Sequence, residues 1–400
     1  MIKSNIHLGQ AFSILLGLVI SLSLISKANS APHLTLDLTS GNVLSHQNAF
    51  DPWHPASLTK LMTAYVAFKA IKTGKLSADH PVVISKNARR QPPSKMGYRT
   101  GTRLTMEDAL KLLVIKSAND VATAIAESIS GTSQDFAARM NQEAKALGMN
   151  GSRFINPHGL HDKRQVTTAR DMGILVAALH NQFPNYRSYF STPSVLAPSR
   201  TKNGKLIKRI YYSYNLLLER YRGADGFKTG FVCASGYNFI GAASRSGRRI
   251  AAVIFGRDSQ TSRAVDAAKF ITAGFEQPVH AGTPLLQFRP AGPVPSGPRN
   301  MRSILCTNEA RAARYEPGAG QAVIKSPWLQ SRKVSLSPLS VELLPRATTA
   351  LAGSRIPLPS FRPKAREITT TTKPDPIAGL IKSGPVGIPI PKFRPRISDG

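Results

Sequence analysis

Nineteen of the 29 prolines in this 400-residue chain lie after Phe275. Proline has no backbone N–H and clashes with the preceding turn, so this density blocks helix interiors and central strands. Regular structure is therefore expected before about Gly282, and a largely disordered, extended, basic tail over residues 283–400. One short pattern recurs in that tail, as Pro357-Leu-Pro-Ser-Phe361-Arg362-Pro363 and Pro389-Ile-Pro-Lys-Phe393-Arg394-Pro395, with an echo at Phe288-Arg289-Pro290. These repeats read as docking motifs or as a spacer whose sequence has drifted.

The other end carries targeting chemistry. Lys3 and the amino terminus are positive, and Ala11 to Ile25 is an apolar run of signal-peptide length, too short for a comfortable membrane span. Ala28-Asn29-Ser30 then offers a cleavage site, so residues 1–30 read as a signal peptide and the mature chain starts at Ala31; an uncleaved anchor is the alternative. No cysteine follows the apolar run, which argues against a lipoprotein. The expected location is the periplasm, free or peripheral at the membrane. Only Cys233 and Cys306 are present. Export permits a disulfide between them, which would tie the tail to the folded domain; two reduced thiols are the other reading.

The formal charge is +31. Nucleic acid is set aside, because an exported protein rarely meets it and the basic residues interleave poorly with aromatics. An anionic envelope surface, of phospholipid headgroups or wall polymer, suits the compartment. A solvated basic surface that aids solubility is the plainer account.

Between residues 31 and 282 the pattern is mixed. Leu34, Leu36 and Leu38 alternate with polar residues, and Ser40-Gly41-Asn42 turns the chain into a hairpin. A helix follows with Leu58, Leu61, Met62, Tyr65 and Phe68 on its apolar face, ending near Gly74. Thr105 caps a helix through Lys116; others run from Asp120 to Ser130, Ser133 to Leu147 and Thr168 to His180. Lys228–Val232, Tyr237–Ala243 and Ile250–Phe255 read as strands, and Thr261 or Ser262 caps a last helix to Phe275. The order predicts a mixed α/β fold with an antiparallel sheet flanked by helices.

Chemistry concentrates at three places. Ser57 and Lys60 are spaced to rise from one face of a helix's first turn, so a hydroxyl lies beside an amine able to take its proton. A lysine is a base only when burial or a nearby cation lowers its pKa. Ser117 and Asn119 lie between two helices, where a hydroxyl can relay a proton and an amide can grip a substrate amide. Lys228, Thr229 and Gly230 open a strand; at a sheet edge the first two can hold a carboxylate, and glycine admits a ligand to the backbone. Each pattern has decoys, at Ser199-Arg-Thr-Lys202, Ser40-Gly-Asn42 and Lys72-Thr-Gly74. Only the three named occur in order, each in a fitting setting.

Together they resemble the active-site signature of serine penicillin-recognising enzymes. Pro55-Ala-Ser-Leu-Thr-Lys-Leu-Met-Thr63, Asn156-Pro-His-Gly-Leu160, Thr168-Ala-Arg-Asp171 and Asp225-Gly-Phe-Lys-Thr-Gly230 narrow the resemblance to the low-molecular-mass D-alanyl-D-alanine carboxypeptidases, over roughly residues 33–275. The resemblance implies a β-lactamase/DD-peptidase-like fold with an all-helical subdomain. It implies Ser57 as nucleophile, Lys60 as base and Ser117 as proton relay. Asn119 would bind substrate amide, and Lys228 with Thr229 would hold the terminal carboxylate of a peptidoglycan stem peptide. Lys228 would also keep Lys60 neutral, and the N–H groups of Ser57 and Phe231 would form an oxyanion hole. Neither metal nor organic cofactor is implied, and β-lactams would acylate the serine.

A class A β-lactamase would need a Glu-x-x-x-Asn pattern that the stretch from Asn119 to Lys228 lacks. A DD-endopeptidase uses the same chemistry on another leaving group, and a non-enzymatic scaffold would act through the tail. Two departures stand out. Phe231, Val232 and Cys233 follow Gly230 where many relatives have a small or polar residue, and the proline density argues against the second β domain and anchor helix many relatives carry.

Overall fold

Eleven strands form among the described residues: β1 (His33–Asp37), β2 (Asn42–Gln47), β3 (Pro81–Val83), β4 (Arg103–Thr105), β5 (Ser194–Arg200), β6 (Leu206–Tyr212), β7 (Ala224–Val232), β8 (Gly236–Arg245), β9 (Arg248–Arg257), β10 (Thr283–Pro284) and β11 (Leu339–Ser340). The structure, a computed structural model, describes residues 31–201, 203–315, 324, 326–331 and 337–345. The expected leader and the Phe361 and Phe393 repeats lie outside them.

The main sheet has the order β10-β2-β1-β9-β8-β7, antiparallel throughout, and leaves β7 at one edge. β1 lies inside it and is buried along its whole length. The polar residues that alternate with leucine are therefore buried as well. Thr35 accepts a hydrogen bond from Ser45, His33 stacks on Phe270 with ring centroids 4.1 Å apart, and Asp37 accepts two hydrogen bonds from Arg248. Thr35 and Asp37 are thus hydrogen-bonded, as burial requires, while the buried His33 Nδ1 has no hydrogen-bond partner among the described residues and burial, chiefly, lowers its pKa to about 4.

That face is covered by helix Gln260–Glu276, through Ala264, Ala267, Ala268 and Ile271 against Ile250, Ala252 and Ile254. Its cap is Ser259, two or three residues before the expected Thr261 or Ser262: Ser259 Oγ accepts from the Ser262 amide, and Ser262 Oγ accepts from the Ser259 amide. The reciprocal pair satisfies two amides that the first helical turn leaves open.

The helices of the middle of the chain occupy the other side. Helix Thr59–Lys72 has buried residues on every face through Phe68, not an apolar stripe alone, because Asn119–Ser130, Ser133–Leu147 and Ala169–Gln182 surround it. Thr105, Thr132 and Thr168 each cap a following helix through a side-chain oxygen. The helix begun at Met106 changes at Leu112–Lys116 into a wider π-type turn and ends on Ser117, with left-handed backbone at φ 61°. Strands β5 and β6 form an antiparallel hairpin that sequence patterning did not anticipate, since β6 is mostly exposed.

After Gly282 the described chain stays in contact with this body. Thr283 pairs with Val43, Leu285 and Phe288 are buried, and Leu339 pairs in parallel with Val195. Cys306 forms a disulfide with Cys233, in the turn between β7 and β8. Among the described residues, no helix is long and apolar enough to cross a membrane.

Candidate active site

The turn that carries Ser57 is gripped from three sides. Asn238 of β8, wholly buried, donates to the carbonyl oxygens of His54 (2.8 Å) and Pro55 (3.2 Å). Gly159 approaches so closely that a Cβ there would lie 1.8 Å from the Ala56 carbonyl oxygen. Gly230 of β7 lies opposite, where a Cβ would stand 3.0 Å from the Ser57 amide nitrogen. Ala56 itself has φ 49°, a left-handed conformation that alanine adopts only when its surroundings impose it. Ser57 thus sits in a 3-10 turn, Ala56–Leu58, rather than inside the helix, and Lys60 follows in the first turn of Thr59–Lys72.

The Lys60 side chain is fully enclosed. Its Nζ lies 3.0 Å from Ser57 Oγ, 2.7 Å from Asn119 Oδ1 and 2.6 Å from the His158 carbonyl oxygen. Burial first, and then the charge of Lys228, hold this amine well below the usual lysine range; Asp120 opposes them. A neutral amine has two N–H donors and one lone pair. The amide and carbonyl oxygens accept only, so they take both donors, and the lone pair is left for the Ser57 hydroxyl proton.

Asn119 opens helix Asn119–Ser130. Its Nδ2 donates to the Pro92 carbonyl at 2.9 Å, which turns Oδ1 toward Lys60. Ser117, two residues earlier in the left-handed turn, is buried, and its hydroxyl has no hydrogen-bond partner among the described residues.

Across from these groups runs β7. Lys228 and Thr229 are both buried, and the Phe231 ring rests on Tyr237 with centroids 4.3 Å apart. Among the described residues, Lys228 Nζ donates only to the Thr229 carbonyl, at 3.3 Å. Burial, and then Arg263, lower its pKa to about 7. Arg263 is also buried and donates to the carbonyls of Gly230, Asn238 and Tyr214; burial pulls it down to about 9, still a cation at neutral pH. Among the described residues neither cation has a carboxylate partner, so the edge of β7 presents positive charge to an anionic group.

The arrangement can therefore deprotonate a serine without an acid–histidine pair and receive an anion on the facing strand. Among the described residues, no group of three His, Cys, Asp or Glu side chains is placed to hold a metal ion. Hydrogen bonds bring Ser57, Lys60 and Asn119 together; Lys228 acts on them through charge, and Gly230 by close approach.

A family profile described as D-alanyl-D-alanine carboxypeptidase, peptidase S11, matches residues 24–259. The chain belongs to this family. It is 32% identical over 253 residues to D-alanyl-D-alanine carboxypeptidase DacC of Escherichia coli, covering 60% of either chain. The structure resembles DacD of Francisella tularensis (TM-score 0.59, 30% identity, 63% of this chain and 72% of that one). It also resembles penicillin-binding protein D2 of Listeria monocytogenes in its cefotaxime-bound form (TM-score 0.53, 30% identity, 62% and 97%). The chain thus spans about 60% of the length of the curated relatives it matches.

Within this family frame, three contributors had not been read from the sequence as site residues. Arg263 lies on the closing helix, in no motif of the sequence. Asn238 interrupts an apolar strand, and a buried amide there was a usable signal. His158 acts through its backbone carbonyl, which no residue pattern reports. Burial and the nearby Lys60 hold its imidazole at about 3, so it is neutral.

Proposed function

We propose that this chain is a serine D-alanyl-D-alanine carboxypeptidase that removes the terminal D-alanine from peptidoglycan stem peptides. The observation that carries the reading is the enclosed Lys60 amine, both of whose N–H groups are taken, beside the Ser57 hydroxyl. Ser57 Oγ attacks the carbonyl between the two D-alanines as Lys60 Nζ accepts its proton. The N–H groups of Ser57 and Phe231 stabilise the oxyanion. The terminal carboxylate rests on Lys228 and Thr229, where Gly230 leaves the backbone open. Asn119 keeps one amide hydrogen for the substrate. As the tetrahedral intermediate collapses, the proton passes from Lys60 through Ser117 to the departing amine, and free D-alanine leaves. Water then attacks the acyl-enzyme, Lys60 takes its proton, and Ser57 recovers its hydroxyl.

β-Lactams would end on the same serine. Residues 1–30 would direct export to the periplasm and be removed. Residues 31–282 would be the catalytic unit, and the basic stretch 283–400 would meet anionic headgroups or wall polymer. The test is incubation with benzylpenicillin followed by intact-mass measurement, together with D-alanine release from a D-Ala-D-Ala peptide. One adduct and catalytic release are expected, both lost in Ser57→Ala; an unmodified wild-type protein would refute the reading.

A further inference from the structure

Beside the acylating residues lies a cation that this chemistry does not use. Lys116 immediately precedes Ser117. Its ammonium lies 5.5 Å from the ring centre of Tyr211 and 5.8 Å from that of Tyr214. Attraction to two ring faces fixes the ammonium without neutralising it, and Lys116 has no ion pair among the described residues. The cluster joins both walls of the cleft. Lys116 belongs to the wall bearing Ser117 and Asn119, while the Tyr214 carbonyl accepts from Arg263, which also donates to Gly230 of β7.

Its depth differs from that of the other cations. Lys228 and Arg263 are buried, Lys116 is half-buried, and Tyr214 is 44% exposed. Three residues of chain span at most about 11 Å, so the Lys116 backbone is no farther than that from Asn119. A peptide whose terminal carboxylate sits on Lys228 must leave the cleft at its mouth to remain joined to a polymer. The part that leaves is the segment upstream of the two D-alanines.

We infer that Lys116, held between Tyr211 and Tyr214, is a specificity-determining subsite for a carboxylate in the peptide upstream of D-Ala-D-Ala. This rests on the proposed carboxypeptidase activity. It adds a preference, not a step: the cation offers a charge-assisted hydrogen bond to a substrate side chain near the acyl carbonyl.

The test compares two peptides, diacetyl-L-lysyl-D-alanyl-D-alanine and the same peptide with the ε-acetyl group replaced by succinyl, which adds one carboxylate. For the full-length protein, kcat/KM should favour the succinyl peptide about tenfold at low salt, less at high salt. Lys116→Gln should abolish that ratio, Lys116→Glu should invert it, and Lys116→Arg should preserve it. Penicillin acylation of each variant reports an intact site. A wild type that does not acylate overturns both this inference and the activity beneath it. Normal acylation with a ratio near one, or a ratio unmoved by Lys116→Gln, overturns the subsite alone.

Discussion

Gly159 lies against Ala56 so tightly that a Cβ would stand 1.8 Å from the Ala56 carbonyl oxygen and 3.0 Å from the Ser57 amide nitrogen. Backbone cannot yield as a flexible side chain can, and Gly159 also has φ +87°, which L side chains rarely adopt. Asn156 Oδ1 accepts from the Gly159 amide at 2.7 Å, and Thr63 and Lys60 hold the carbonyls of Pro157 and His158. Gly159→Ala must therefore move the Ser57 turn. Acylation by a fluorescent penicillin should slow by about a hundredfold, the scale of a misplacement near 1 Å. A rate within threefold of wild type would show that the turn tolerates displacement.

The two lysines make opposite demands on pH. In the proposed reaction Lys60 would act without its proton, so acylation should rise as pH rises through its depressed pKa. Lys228 would hold a carboxylate only with its proton, which is lost near 7. The kcat/KM profile should therefore be a bell whose alkaline limb lies near 7 and whose acidic limb belongs to Lys60. Lys228→Ala removes the positive neighbour that helps lower Lys60. Its acylation rate should fall, and its acidic limb should move to higher pH. An acidic limb that stays in place would mean that burial alone sets the Lys60 amine.

How much of this was readable depended on distance along the chain. Ser57 and Lys60 are one helical turn apart, so local geometry delivers the pair. The third partner of Lys60 is a carbonyl 98 residues away, and a carbonyl has no letter in the sequence. Asn238 clamps Pro55 from 183 residues away, and only the assembled sheet makes that contact. The β5–β6 hairpin escaped because exposed edge residues such as Leu206, Ile210 and Tyr212 carry no burial signal, whereas β7 to β9 announce themselves as apolar strands. The alternation in β1 announced a strand but not its place in the sheet: Thr35 and Asp37 are buried and paired, which only the assembled fold shows.

Asp225 gives a stability test. Its carboxylate accepts from Arg249 Nε at 3.0 Å and Ser244 Oγ at 2.6 Å, and it also pairs with Arg187. Arg249 is 4% exposed, so Asp225→Ala strands a buried guanidinium. The loss should be about 3 kcal/mol or more, read as a lower urea midpoint. Arg187 has a side chain 45% exposed, so Arg187→Ala should cost less than about 1 kcal/mol. Equal losses would place the stabilisation elsewhere in the cluster.

The disulfide separates anchoring from chemistry. Cys233 follows Phe231 by two residues, and Cys306 ends a segment held to the same turn by the Met301 amide, which donates to the Ala234 carbonyl at 2.9 Å. Leu305 also packs on Gly236, where a Cβ would meet its side chain at 2.9 Å. The bond joins positions 73 residues apart, and closing a loop of that length in the unfolded chain is worth about 4 kcal/mol in the chain-entropy account. Cys233→Ala/Cys306→Ala should therefore unfold at a clearly lower urea concentration, and reduction of the wild type should reproduce that shift. Penicillin acylation under native conditions should fall by less than tenfold, because Asn238, Gly159 and Gly230 still grip the Ser57 turn. Acylation abolished while the fold survives would instead give the bond a part in placing the Phe231 amide.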